Sequence, residues 1–203
     1  MTGWGLGFAV AAVSIVELDA TAAGQFMLSR PIVLGPVLGT FLGDPILGTG
    51  FGVLYELLSL NDLPVGGHLP LNVTVALSAA LFCALGTPAA APEIAFPGGA
   101  LAGWAHRRLE EFLRRSRGRV GELVDQRLIR GSNPALLRLA GLELAKQAAM
   151  TFFVLTSAIS FAVLWGRLGL EVPGVLQSGL KTGFAVLPWL ALASLIRAFK
   201  VAF

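Results

Sequence analysis

Between Ser29 and Asn72 the chain is apolar enough to sit in lipid, yet glycine and proline break it far more often than a plain spanning helix allows. The same stretch carries Arg30, Asp44, Glu56, Asp62, His68 and Asn72. Each of these side chains is costly at membrane depth unless it is paired, solvated or functional. Broken backbone is tolerated there only where it is buried in protein or lines a watery cavity. Together the two constraints call for broken helices around a polar interior, with the remaining sequence as support.

Composition agrees with that demand. The 203 residues are 55% hydrophobic and 13% charged, against roughly 25% charged in a soluble domain, and the mean hydropathy is +0.76. This is the composition of an all-α polytopic integral membrane protein, and it argues against one large soluble core. The formal net charge is +3, with eight of the fifteen Lys and Arg between Arg107 and Arg130, interleaved with Glu110, Glu111, Glu122 and Asp125. Such a local patch of mixed sign is not a nucleic-acid footprint. The single cysteine, Cys83, cannot form an internal disulfide and reads as a small buried apolar residue. The opening Met-Thr-Gly-Trp-Gly lacks the basic stretch of a cleavable signal peptide, so the N-terminal segment is expected to stay.

Taken in order, residues 3–28 begin with an apolar run that ends at Glu17 and Asp19, too short for the ~20 residues of a full span. They form either one helix carrying two acids or a re-entrant hairpin with its tip near Asp19; alternatively the acids mark a membrane surface. Arg30-Pro31 opens the next element, because proline suits a first helical turn. Gly35, Gly39 and Gly43 recur every four residues and predict a small-residue ridge for close helix contact. Asp44-Pro45 then breaks the element and can cap a new helix. In that helix Gly48, Gly52 and Glu56 are again four apart, which turns the carboxylate toward the packed interior. Glu56 is there either as an acceptor for a hydroxylated substrate or as a structural partner of Arg30 or of a backbone donor.

Residues 63–70, with two prolines and a glycine pair, form a loop or unwound segment. His68 and Asn72 flank Pro70, and no second histidine stands at metal-ligand spacing, so no metal site is expected and no cofactor is implied. Residues 71–87 are an apolar helix. Residues 88–99 are rich in Pro, Ala and Gly, and residues 94–105 are a short apolar piece. A basic amphipathic region on the cytoplasmic side follows, interrupted at Gly118 and Gly121; it lies on a membrane surface or on a partner, or is a solvated loop helix. Asn133-Pro134 opens the next helix, in which Glu143 and Lys146 can pair and residues 147–165 can span. Pro173 begins a last apolar stretch to Leu195, broken by Gly179, Lys181, Gly183 and a kink at Pro188. The whole, 1–203, is one membrane domain: core helices over 1–105, the basic region over 106–132 and C-terminal membrane helices over 133–203.

An ordered set of pieces carries a resemblance. Gln25, then Ser29-Arg30-Pro31-Ile32-Val33, Gly43-Asp44, Gly48, Gly52, Glu56-Leu57, Leu60, Pro64-Val65-Gly66-Gly67 and Pro70 resemble the IIC membrane component of the mannose/fructose/sorbose family of sugar phosphotransferase systems. The match is dense over residues 15–75 and collinear afterwards. It implies a non-enzymatic permease subunit in the bacterial inner membrane, working with a IID membrane subunit. The pair would carry a hexose inward, cytoplasmic IIA and IIB proteins would phosphorylate it, and IIC–IID units would assemble as oligomers in contact with membrane lipid. It also implies re-entrant hairpins, an amphipathic surface helix, and further membrane sequence beyond the segment matching residues 173–199, where this chain stops at Phe203.

On that reading Gln25, Asp44, Glu56, His68 and Asn72 are the candidate substrate-binding residues, because a hydroxyl-rich sugar needs carboxylate and amide partners in a cavity between broken helices. Glu56 and Gln25 lead; Asp44 has a second explanation as a helix cap. The competing reading is a non-transporting membrane scaffold or regulatory subunit that holds cytoplasmic phosphotransferase proteins through residues 106–130.

Overall fold

The computed structural model describes residues 3–20, 22, 24–60, 62, 69–130, 135–169 and 171–201. Among them are seven α-helices: α1 (Gly3–Val16), α2 (Pro31–Leu42), α3 (Pro45–Ser59), α4 (Val73–Leu85), α5 (Pro92–Ile129), α6 (Leu136–Arg167) and α7 (Gly174–Val201). The first four are short. At 1.5 Å per residue even α3 is about 22 Å long, against ~30 Å of hydrocarbon. The last three are long.

The helix α1 stops where the apolar run stops. Glu17–Ala20 forms a single 3-10 turn, and the non-helical residues 24–30 lead into α2. Gln25 and Met27 both take positive φ, 57° and 65°. This alternation curls the backbone around Asp19, so that the N–H groups of Phe26, Leu28 and Ser29 converge on its carboxylate at 2.6, 2.8 and 3.4 Å. Converging amides of this kind make a concave anion holder.

The helices α2 and α3 form a tight hairpin built on glycine. A Cβ on Gly35 would stand 2.5 Å from the Gly48 carbonyl oxygen, and one on Gly39 would stand 2.7 Å from Gly48 Cα. The backbones therefore touch, as four-residue spacing predicts. Gly43 is not part of that ridge. It caps α2 with φ +99° and has open space around it, a left-handed conformation that favours glycine. Pro31 and Pro45 each sit in a first helical turn, and Asp44 Oδ1 accepts the Leu47 N–H at 2.9 Å.

The most deeply buried helix is α4, with Val75, Ala76, Leu77, Ala80 and Leu81 inaccessible; α2, α3, α5 and α6 all pack on it. Gly99 and Gly103 of α5 lie against Ala76 and Ala80 of α4. Phe51, Phe96 and Phe184 meet edge to face at 5.3–6.0 Å and Tyr55 stacks on Phe96 at 4.2 Å, tying α3, α5 and α7 together.

Three expected breaks are absent. The short apolar piece and the basic amphipathic region are one continuous 38-residue helix, α5, running through Gly118 and Gly121. Glycine costs a helix about 1 kcal/mol, and here the Arg114–Glu110 and Arg107–Glu111 pairs one turn apart reinforce the rod. Likewise α7 runs unbroken past Gly179, Gly183 and Pro188. The N-cap of α6 is Ala135; Asn133 and Pro134, expected to open it, lie outside the described residues, as do residues 63–68. The outward faces are apolar, with Trp4 92%, Leu137 91% and Val175 90% exposed. Such a surface suits hydrocarbon and not water. Among the described residues two helices, α6 and Gly174–Phe199 of α7, are long and apolar enough to cross a membrane.

Candidate functional site

Where the short helices end, a cavity of about 590 Å³ opens. The turn after α1 supplies Glu17 and Asp19, the connector Gln25, Ser29 and Arg30, the end of α3 Glu56 and Ser59, the start of α4 Asn72 and Thr74, and the middle of α5 Glu110 and Arg114. Its size lies within the ~300–1,000 Å³ of small-molecule sites. Its walls mix apolar residues with charged and polar ones, because the short helices begin or end here. Broken helices thus put backbone termini and charged side chains inside an otherwise apolar protein.

Glu56 lies on the glycine face of α3, as its spacing predicts, and is 7% exposed. Arg30 Nη2 is 2.9 Å from its Oε1, and the Ile32 N–H points at its Oε2 from 3.4 Å. The carboxylate thus meets Arg30 and an open amide at the start of α2, where a negative charge also meets the positive end of the helix dipole. On the α5 side of the cavity Arg114 donates twice to Glu110 Oε1, at 2.8 and 3.1 Å. Both carboxylates are nearly buried, and both guanidiniums are about half exposed.

A second set of side chains runs from the cavity into the protein. Asn72 caps α4, its Oδ1 accepting the Val75 N–H at 3.1 Å. Its Nδ2 donates to Glu17 Oε1 at 2.9 Å and faces His106 Nδ1 at 3.2 Å. Because an amide nitrogen only donates, His106 Nδ1 accepts and the ring carries its proton on Nε2. That N–H then donates to Thr151 Oγ1 at 2.9 Å. The Thr151 hydroxyl lies 3.2 Å from Glu17 Oε2 and 3.1 Å from the Gln147 carbonyl oxygen. Gln147 Nε2 donates to Glu17 at 3.3 and 3.4 Å, and Arg117 Nη2 donates to Gln147 Oε1 at 2.7 Å. Glu17, His106, Gln147 and Thr151 are all at most 1% exposed. Each buried polar group is answered by another, as burial demands.

Of the residues expected from sequence, Gln25, Glu56 and Asn72 come to the cavity. Gln25 stands exposed in the connector. Asn72 spends both amide hydrogens on the protein. Asp44 is elsewhere: it begins α3 whereas Glu56 nearly ends it, about 18 Å along the axis at 1.5 Å per residue. There Asp44 caps the helix and borders a separate cavity of about 360 Å³ that is otherwise lined by apolar residues and Gly50. His68 lies outside the described residues, although its neighbour Leu69 lines the main cavity. Sequence reasoning passed over Glu17, His106, Glu110 and Arg114. A signal existed in Gln147 and Thr151, two polar residues four apart in an apolar run, which mark the α6 face toward polar partners. Glu17, His106 and Glu110 also bring ligand-type atoms within 4.8 Å of one another, a proximity that sequence spacing could not show. Both ring nitrogens of His106 and both oxygens of Glu17 already have hydrogen-bond partners, so their contacts are those of a hydrogen-bonded network.

A family described as the sorbose-specific IIC component of the phosphotransferase system matches residues 6–201. The chain belongs to the sorbose-type IIC family. IIC components are membrane transport subunits, and the cavity described above lies wholly within the matched region. A solved chain described as "Structure of membrane protein" superposes with a TM-score of 0.74 over 98% of this IIC chain and 81% of its own, at 14% identity. That likeness shows the all-helical fold alone. No curated protein matches the sequence.

Proposed function

We propose that this IIC subunit binds a hexose in the cavity between α1, α3, α4 and α5 and passes it across the bacterial inner membrane together with a IID subunit. The observation that carries the reading is the cavity itself: a space of about 590 Å³ into which charged and polar side chains come at the ends of broken helices, in a chain of the IIC family. Glu56 and Gln25 accept and donate to sugar hydroxyls, and Asn72 orients Glu17 behind them. His68 belongs to the proposed set on its sequence alone. Asp44 serves as a helix cap. Phosphoryl transfer belongs to cytoplasmic IIA and IIB proteins, and the basic half of α5 faces them, since an excess of Arg marks the cytoplasmic side.

The test is phosphoenolpyruvate-dependent phosphorylation of a small hexose panel by membranes containing this chain, a IID subunit and the soluble components. Activity that requires this chain supports the reading and names the sugar. A folded, partner-bound chain with no activity toward any hexose would favour the regulatory scaffold instead, for which the exposed basic half of α5 supplies a surface.

A further inference from the structure

One face of α5 belongs neither to the bundle nor to the cavity. At about 100° per residue, Leu101, Trp104, Arg108, Phe112, Arg115 and Arg119 fall within an arc of about 80°. All six are exposed. Gly99, Gly103, His106 and Glu110, which meet α4, the buried network and the cavity, lie on the opposite side of the helix.

Along this face the chemistry changes once. Leu101 and Trp104 are apolar, whereas Arg108, Arg115 and Arg119 are cationic. At the switch the Arg108 guanidinium lies over the Trp104 ring, 5.3 Å from its centroid, a cation–π arrangement. Tryptophan beside basic residues is what the boundary between hydrocarbon and headgroups selects. Phe112, one turn further on, is 66% exposed, so the face stays partly apolar beyond the first arginine. Its positive charge is not cancelled. Glu110 is taken by Arg114, and Glu111 by Arg107 and Arg108. Arg115 and Arg119 have neither an ion-pair nor a hydrogen-bond partner among the described residues. A guanidinium in that position offers a planar fork of donors that matches phosphate oxygens.

We propose that Trp104, Arg108, Phe112 and Arg115 seat an anionic phospholipid. Its phosphate lies between Arg108 and Arg115, which are about 10 Å apart along the axis and reach toward it on long side chains. Phe112 packs on the glycerol region, and the acyl chains follow Trp104 and Leu101 into the hydrocarbon. Basic residues beside a membrane attract anionic lipid; here the two aromatic rings add an apolar wall that holds one molecule in place. An acidic soluble protein fits less well, because the face runs on without a break into Leu101 and the apolar half of α5. Arg119 and the residues beyond it stay free for cytoplasmic proteins.

The experiment is native mass spectrometry of the full chain released from detergent micelles that hold equal amounts of phosphatidylglycerol and phosphatidylcholine. The wild type should retain phosphatidylglycerol in preference. Arg108→Gln and Arg115→Gln should each lower that preference about fivefold, the worth of one basic residue near an anionic membrane surface. Arg130→Gln, at the far end of α5, should leave it as in the wild type. Without added lipid, Arg115→Gln should unfold at the wild-type temperature, because Arg115 has no polar partner among the described residues. Soluble glycerophosphoglycerol, which brings the phosphate without the chains, should not displace the lipid. Equal retention of the two lipids by the wild type would overturn the proposal and leave the face to an acidic protein. An equal loss in Arg130→Gln would overturn it in favour of diffuse attraction by any arginine, and displacement by the soluble ester would overturn it in favour of a phosphate site.

Discussion

Asn72 Nδ2 donates to Glu17 Oε1 over 2.9 Å, joining the start of α4 to the turn after α1. The other hydrogen of that amide goes to His106 Nδ1 at 3.2 Å. A carboxamide committed in this way has nothing left to donate to a ligand. It sets the cavity floor by holding Glu17 in place.

Asn72→Asp replaces this donor with an acceptor beside an existing carboxylate. Glu17 and His106 each lose a partner, and an unsatisfied buried polar group costs about 1–3 kcal/mol. The midpoint of thermal unfolding in detergent should fall clearly below wild type. An unchanged midpoint would show that the donors are dispensable.

Thr151→Val keeps shape and removes the hydroxyl that takes the His106 Nε2–H. A loss of the same order, about 1–3 kcal/mol, is expected. Thr156→Val makes the comparison: that hydroxyl is exposed and bonds only the carbonyls of its own helix, so its midpoint should stay close to wild type. Equal effects at the two sites would argue against the buried network.

Gly35→Ala drives a Cβ toward the Gly48 carbonyl oxygen, 2.5 Å away. Overpacking of this kind costs about 1–3 kcal/mol, and here the obstacle is backbone, which cannot rotate aside. Gly50→Ala, where nothing lies within 4 Å, should be neutral or stabilising by up to ~1 kcal/mol. Thermal midpoints of the two variants should therefore move in opposite directions or differ widely; a tolerated Gly35→Ala would count against the backbone contact.

Glu56→Gln keeps the volume and discards the charge. If Glu56 accepts from a sugar hydroxyl, affinity should fall about tenfold or more, the effect of losing a hydrogen bond to a charged group. The check is a binding isotherm on folded protein with the hexose named by the phosphorylation assay. Unchanged affinity would leave Glu56 as the structural partner of Arg30.

The α2–α3 hairpin was readable from sequence because its determinant is local. Four-residue spacing puts Gly35 and Gly39 on one helix face and Gly48, Gly52 and Glu56 on another, and the structure presses those faces together. Gly43 keeps the same spacing but does a different job, since periodicity does not report φ. The Glu17–Asn72–His106–Thr151 set was hidden for the opposite reason. Its members come from four separate segments, and Glu17 bonds to Thr151 across 134 positions. Taken alone, Glu17 looked like an acid at a turn or a membrane surface, and His106 looked like part of a basic stretch. Likewise, the glycines at 118 and 121 suggested breaks in α5, because helix propensity is a weak guide once neighbouring ion pairs and an anchored first half sustain the rod.

The continuity of α5 has a mechanical consequence. At 1.5 Å per residue the helix is about 57 Å long. Near one end Gly99 and Gly103 clasp α4; just beyond, Glu110 and Arg114 form a wall of the cavity; the arginine-rich remainder extends past it. Such a rod behaves as a lever with its fulcrum at the glycine clasp. A load on the long arm would be carried through the same unbroken element, and through the bond of Arg117 to Gln147 of α6, so the far end and the cavity wall are mechanically joined.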